Sequence, residues 1–277
     1  MSVSVINDLS KLCIHTITLK PWTIEQSAKR FSEAGVAGIT VWRDAIAGRN
    51  IRETGKLLRS LDLKIVSLCR GGFFPAIKKE DREAAIQENI KAIDEASELE
   101  TPMLVLVCGS VPGQSLAESR EQIKQGIEAC INHAEKKGVQ LTIEPLHPMY
   151  AGDRSAINTL AQANDMAEYF SSPSVGIAVD VYHVWWDPDL QNQIIRCGAN
   201  GNLSAFHICD WKTPTLDMLN DRGLMGEGCI NIKQIRGWVE DAGFNGFNEV
   251  EIFSTIHWKE DQHIFFDRIV KAYLQCS

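Results

Sequence analysis

Four side chains in the second half of the chain could share one cation. Glu144 lies in "TIEPLHP", Asp180 in "VGIAVDVYH", His207 in "AFHICDW" and Glu251 in "NEVEIFS". Each stands at or near the end of a short apolar run. Three carboxylates and an imidazole suit a divalent cation of the Mn2+, Mg2+ or Co2+ kind. A zinc site is commonly richer in His or Cys, although zinc is compatible with this set. Singly, each residue has an ordinary explanation. An aspartate at a strand end can cap the next helix, a histidine in an apolar run can be a hydrogen-bonded core residue, and a glutamate can find a salt bridge. Their coincidence carries the argument, because buried carboxylates are costly unless paired or metal-bound. Three converging ones repel unless a cation lies among them.

Other residues are placed for recognition. Arg43 closes "VWRD", Arg70 follows in "LCRGGFFP" and Arg154 lies in "AGDRS". A loop acid would satisfy any one of them, but two converging arginines would clamp a carboxylate or phosphate and mark an anionic substrate. Six of the seven tryptophans, Trp186 among them, fall on or shortly after apolar runs. There they can wall a polyol pocket, or pack loops or a second subunit. Gly71 and Gly72, followed by two phenylalanines, have the composition of a mobile lid or of a simple turn. Segment 210–230 reads as a long loop, closing over a substrate or packing against another copy of the chain.

Something must bring these residues together. Eight short apolar runs are strand candidates: 12–18, 37–42, 63–69, 103–108, 139–146, 175–181, 203–209 and 247–253. Being apolar on both faces, they suit a parallel sheet covered on both sides. Amphipathic segments lie between them. Segment 23–35 opens with Thr23 and Gln26 in capping-box spacing and ends at a glycine. Segments 79–99, 115–138, 230–243 and 259–274 complete the helices. This alternation predicts an α/β fold, a (β/α)8 TIM barrel formed as a single domain over 1–277. An open doubly wound sheet would want a glycine-rich turn after its first strand, where "IHTITLKPW" has none. In such a barrel the chemistry lies at the C-terminal ends of the strands. Glu144, Asp180, His207 and Glu251 come from the fifth to the eighth and so share one rim.

The totals agree. The 277 residues are 44% apolar and carry a net charge of −8, which argues against a nucleic-acid partner. No apolar run reaches the ~18–20 residues of a membrane span, and the N-terminus lacks the pattern of a secretory signal. Eight scattered cysteines without a C-x-x-C pair read as free thiols of a cytoplasmic protein.

The segments "IEPLHP", "VDVYH", "FHICD", "NDRGLMGEGCINI" and "GFNGFNEVEIFS" resemble the sugar isomerase/epimerase group of xylose-isomerase-like TIM barrels. That group includes ketose 3-epimerases, hydroxypyruvate isomerases, inosose dehydratases and 3-dehydroshikimate dehydratases. The resemblance covers most of the chain and is strongest over 139–254. It implies that Glu144, Asp180, His207 and Glu251 bind one divalent metal and that Glu144 and Glu251 double as the catalytic acid/base pair. His183 and Arg222 match positions that touch substrate oxygens. His147, where epimerases of the group often carry asparagine, is a further candidate for substrate contact.

The chemistry so implied is proton transfer at carbon. A metal holding a carbonyl and a neighbouring hydroxyl acidifies the adjacent C–H bond. One glutamate removes that proton, and the charge of the resulting enediolate is stabilised electrostatically. Reprotonation at the neighbouring carbon isomerises, at the opposite face of the same carbon epimerises, and loss of a β-hydroxyl dehydrates. The expected function is therefore a metal-dependent isomerase or epimerase of a sugar or sugar derivative. A metal-dependent dehydratase is the first alternative, and a non-catalytic sugar-binding barrel with a structural metal the second.

Overall fold

The computed structural model describes residues 6–277. Its strands are β1 (Leu12–His15), β2 (Gly38–Trp42), β3 (Lys64–Gly72), β4 (Met103–Val107), β5 (Gln140–Glu144), β6 (Val175–Asp180), β7 (Leu203–Ile208), β8 (Asp210–Trp211), β9 (Arg222–Gly223) and β10 (Asn248–Val250). All but β8 and β9 join a closed barrel in the order β1-β10-β7-β6-β5-β4-β3-β2. Every pairing around the ring is parallel, for example Val107↔Glu144 between β4 and β5 and Asp180↔His207 between β6 and β7. The eight strand candidates of the sequence are thus the eight staves. β8 and β9 form an antiparallel ribbon inside the segment read as loop 210–230.

The helices are α1 (Ile24–Ala34), α2 (Ile51–Ser60), α3 (Lys79–Leu99), α4 (Leu116–Lys137), α5 (Leu160–Phe170), α6 (Val181–Val184), α7 (Leu190–Ala199), α8 (Ile232–Asp241) and α9 (Gln262–Cys276). The capping box of α1 forms as its spacing predicts, and Gly35 closes the helix in the left-handed region at φ 78°. α2, α5, α7 and the short α6 are additional to the five helices read from sequence. The covering role of α2, α5 and α7 follows from apolar faces such as Leu190, Ile194 and Cys197 of α7, which are buried against the barrel.

Most of the core lies between helices and strands. A smaller apolar cluster, Cys13, Val66, Met103, Ala178 and Ala205, fills part of the barrel interior. All eight cysteines are free, as expected. Phe74 is buried beneath α4, where a Cβ on Gly126 would stand 2.3 Å from its ring. Gly71 and Gly72 are the last residues of β3. A Cβ on Gly72, at φ +103°, would lie 1.9 Å from the Val107 carbonyl oxygen. The lid composition of "GGFFP" is therefore explained by close strand contact. No helix among the described residues is long and apolar enough to cross a membrane.

Candidate metal centre and active site

Side chains two apart on a strand share a face. On the inner face of the barrel, Cys13 is followed by His15, Ala178 by Asp180, Ala205 by His207, and Glu249 by Glu251. In β1, β6 and β7 a small apolar residue fills the interior and the next inward residue, nearer the C-terminal end, is ionisable. Glu144, on β5, brings its carboxylate to the same end.

One ligand atom each from Glu144, Asp180, His207 and Glu251 lies within 4.8 Å of the others. His207 Nδ1 is 2.9 Å from Glu144 Oε1. Asp180 divides its work: Oδ1 accepts the Tyr182 amide at 2.8 Å, capping α6, and Oδ2 faces the cluster. Arg222, carried by β9, donates from Nη1 to Glu251 Oε2 at 2.7 Å and to Asp180 Oδ2 at 3.1 Å. His15 bridges downward, with Nδ1 3.0 Å from Glu251 Oε1 and Nε2 3.2 Å from Glu249 Oε2. Thr40 donates to the same Glu249 oxygen at 2.6 Å.

The cluster's charges show what it would accept. Burial pushes the Asp180 carboxyl up to about 7, against the opposing pull of Arg222. Burial alone would lower the His207 imidazole, but Glu249 and Glu144 raise it to about 10. Burial would raise Glu251, yet Arg222 and then His15 hold it well below the usual carboxylate range. The Asp180 carboxyl and the His207 imidazole thus both hold a proton more readily than the free groups, which offsets crowded negative charge. A divalent cation would supply that positive charge and displace those protons. His207 Nε2 is buried without a hydrogen-bond partner, 3.9 Å from Glu249 Oε2. Three carboxylates and one imidazole converging at this range fit a divalent ion.

A narrow cavity of about 30 Å3 opens at the cluster, lined by Glu144, Glu251, Arg222, His183, Arg70 and Arg154 with surrounding aromatic residues. Asp180 and His207 are fully buried. Of the other expected contacts, His183, Arg222 and Arg70 reach this cavity. His183 Nδ1 accepts the His147 backbone amide at 3.2 Å, and burial with Arg222 nearby drives the His183 imidazole well below its ordinary pKa. The His147 ring packs against Trp186 and Trp211, with centroids 5.7 and 4.9 Å away. Trp186 donates from Nε1 to the His183 carbonyl at 2.8 Å. These two support the wall behind His183. Arg43 binds Glu95 at 2.5 Å and Glu88 at 2.7 Å. It belongs to a neighbouring cavity of about 460 Å3, which shares Trp42 and Arg70 with the narrow one.

Sequence reasoning missed His15 and Glu249. Glu249 carried a usable signal, being two residues before Glu251 in the apolar run 247–253 and so on the same face of extended chain. His15 sat in an apolar run with nothing local to mark it.

An eight-stranded parallel barrel with a cation-accepting cluster at the C-terminal rim defines a class of proteins. The chain belongs to the xylose isomerase-like TIM barrel family, whose model matches residues 28–267. It is similar to protein SMc04130 from Sinorhizobium meliloti 1021, with 46% identity, 97% of this chain and 99% of that one covered, and a TM-score of 0.92. Two more distant structures share the fold. The IolI protein, solved with a bound zinc atom, has 17% identity over 96% of this chain and 97% of that one, at a TM-score of 0.84. The 3-keto-D-glucoside 4-epimerase YcjR from E. coli has 18% identity over 96% and 99%, at 0.78. No curated protein matches the sequence.

Proposed function

We propose that the chain is a divalent-metal-dependent isomerase or epimerase acting on a small sugar or sugar derivative. One observation carries the reading. Of the four candidate ligands, only Glu144 and Glu251 line the cavity, and Asp180 and His207 lie beneath it. The pair that can reach a substrate is therefore a pair of carboxylates. Glu144 ends β5 and Glu251 directly follows β10, three steps apart around the eight-stave ring. The zinc of IolI and the epimerase activity of YcjR, both members of the same fold, agree with this reading.

Glu144, Asp180, His207 and Glu251 would hold the ion, whose chemistry is to polarise a substrate carbonyl and acidify the neighbouring C–H bond. The donor set favours Mn2+, Mg2+ or Co2+, with zinc as the competitor. Arg222 and His15 keep Glu251 ionised, ready to accept a proton from carbon. Glu144 faces the substrate from another side and returns a proton, and the roles exchange in the reverse direction. His183, held neutral, orients a substrate oxygen by hydrogen bonding. Elemental analysis after reconstitution with each metal tests the centre. About one ion per chain is expected, lost in Asp180→Ala plus His207→Ala. An empty wild-type site, or one that fills equally in the double variant, overturns it.

A further inference from the structure

Two arginines at the mouth are left without acids. Arg70 and Arg154 both line the narrow cavity with Glu144 and Glu251. Among the described residues, neither makes a hydrogen bond or ion pair through its side chain. The contrast with their neighbours is direct: Arg43 is held by Glu88 and Glu95, and Arg222 by Asp180 and Glu251. Instead, Arg70 lies over the Phe73 ring at 4.4 Å and toward Trp42 at 6.0 Å. Arg154 lies over Tyr150 at 5.6 Å. Stacking holds a guanidinium plane and leaves its N–H fork free.

The backbone presents Arg70 deliberately. β3 pairs with β4 as Cys69↔Val105 and then Gly71↔Leu106, so Arg70 is an extra residue with no partner across the ladder. Such a bulge re-aims its side chain and recurs beside active sites. Asn89 of α3 pins it, accepting the Gly72 amide at 2.6 Å and donating to the Gly72 carbonyl at 2.8 Å. Arg154 arrives from the loop after β5, its amide bonded to the Tyr150 carbonyl at 3.0 Å.

The geometry points to an anion-binding subsite between Arg70 and Arg154, so that the substrate of the proposed reaction is a sugar acid or a sugar phosphate whose charged end is directed away from the metal cluster. This rests on the isomerase/epimerase reading and narrows its substrate class. Charge balance supports it. Arg70, Arg154, Arg222 and a divalent ion together exceed Glu144, Asp180, Glu249 and Glu251 by one positive charge, before the imidazoles of His15 and His207 beside those acids are counted. Burial, and then the Arg154 charge, lowers the affinity of the Arg70 guanidinium for its proton. An anion between them removes that mutual repulsion. The neighbouring cavity of about 460 Å3, bordered by the same Arg70, gives room for the charged end.

Calorimetric titration of inorganic phosphate and of acetate into the protein tests this, once with Mn2+ present and once in a chelator. Saturable binding of at least one anion is expected. It should weaken at least ~10-fold in Arg70→Gln and in Arg154→Gln, the lower range for one charged hydrogen-bond partner. Both variants should fold, since neither side chain is paired. The stronger anion assigns the carboxylate or the phosphate. No saturable binding by wild type, or equal binding by a double Arg70→Gln/Arg154→Gln variant, overturns the subsite. The chelator arm reads the arginines without the metal. Arginine-dependent binding there, with no Mn2+ uptake, would remove the metal reading and keep the subsite; Mn2+ uptake with arginine-independent anions would do the reverse.

Discussion

Asp180 shows how much one side chain can hold together. Its Oδ1 caps α6 and its Oδ2 meets Arg222, so the cap and the candidate ligand are the same residue on different oxygens. Glu144 and Glu251 differ from it in reaching the cavity, and this sets the sharpest expectation. Glutamine keeps the shape and much of the coordination but removes the base. Glu144→Gln and Glu251→Gln should each lose turnover by at least ~10²-fold, the lower range for a positioned acid–base group. Substrate affinity should fall less. Deuterium exchange from D2O across ketoses, inososes and keto-acids is the measurement. Near-normal turnover in either variant, with metal bound, removes that glutamate from the mechanism. All four candidate ligands were legible because each stands at or near the end of an apolar run. The sequence gives no comparable mark to His15, whose two partners, Glu249 of β10 and Glu251 directly after it, are more than two hundred residues away. Arg43, Arg70 and Arg154 looked alike in sequence. Only tertiary contacts separate the one that α3 neutralises from the two left facing the cavity.

The barrel strands were legible as elements because each is apolar on both faces. α2 and α7 were not named: Gly55 interrupts the first and Gly198 lies near the end of the second, weakening the helical signal. The β8–β9 ribbon escaped for a different reason, since two-residue strands show no period. Yet that ribbon delivers Arg222 to the cluster. Asp210 anchors it, accepting the amides of Trp211, Gly226 and Ile230 at 2.8, 2.9 and 3.0 Å. Glu227 anchors it again, accepting the Leu224 amide at 3.0 Å and Arg268 at 2.9 Å. The His257 ring, 3.7 Å away, is the main cause lowering the Glu227 carboxyl to about 2, and the Leu224 amide and Arg268 add to it. A carboxyl lowered on folding stabilises the native state fully above its unfolded pKa of about 4.5, and that contribution fades as pH falls toward 2. Glu227→Gln should therefore be less stable than wild type at neutral pH, with the difference narrowing below pH about 4.5. Urea titrations at stepped pH read it. A difference that stays constant down to pH about 2 would assign the effect to packing instead.

At the scale of the whole molecule, the proposed metal would be a fold constraint as well as a cofactor. Its four candidate ligands lie in or directly after β5, β6, β7 and β10, which are consecutive around half the ring. Without a cation, folding this half forces Glu144, Asp180, Glu249 and Glu251 into the interior, where Arg222, His15 and His207 offset them. An ion that binds only this assembled set draws the equilibrium toward the closed barrel. At a free metal concentration one hundred times the Kd, the linkage is about 2.7 kcal/mol. For a chain of this size that is a rise in Tm of about 5–10 °C. Thermal melts in a chelator and in excess Mn2+ should show it. Asp180→Asn is the control, because its remaining oxygen can still cap α6. That variant should lose most of the metal-dependent rise. Its melt in chelator should fall less, since one buried negative charge leaves along with a partner of Arg222. A wild-type Tm indifferent to saturating Mn2+, or an equal rise in the variant, would mean that the ion binds elsewhere or that the four strand ends hold none.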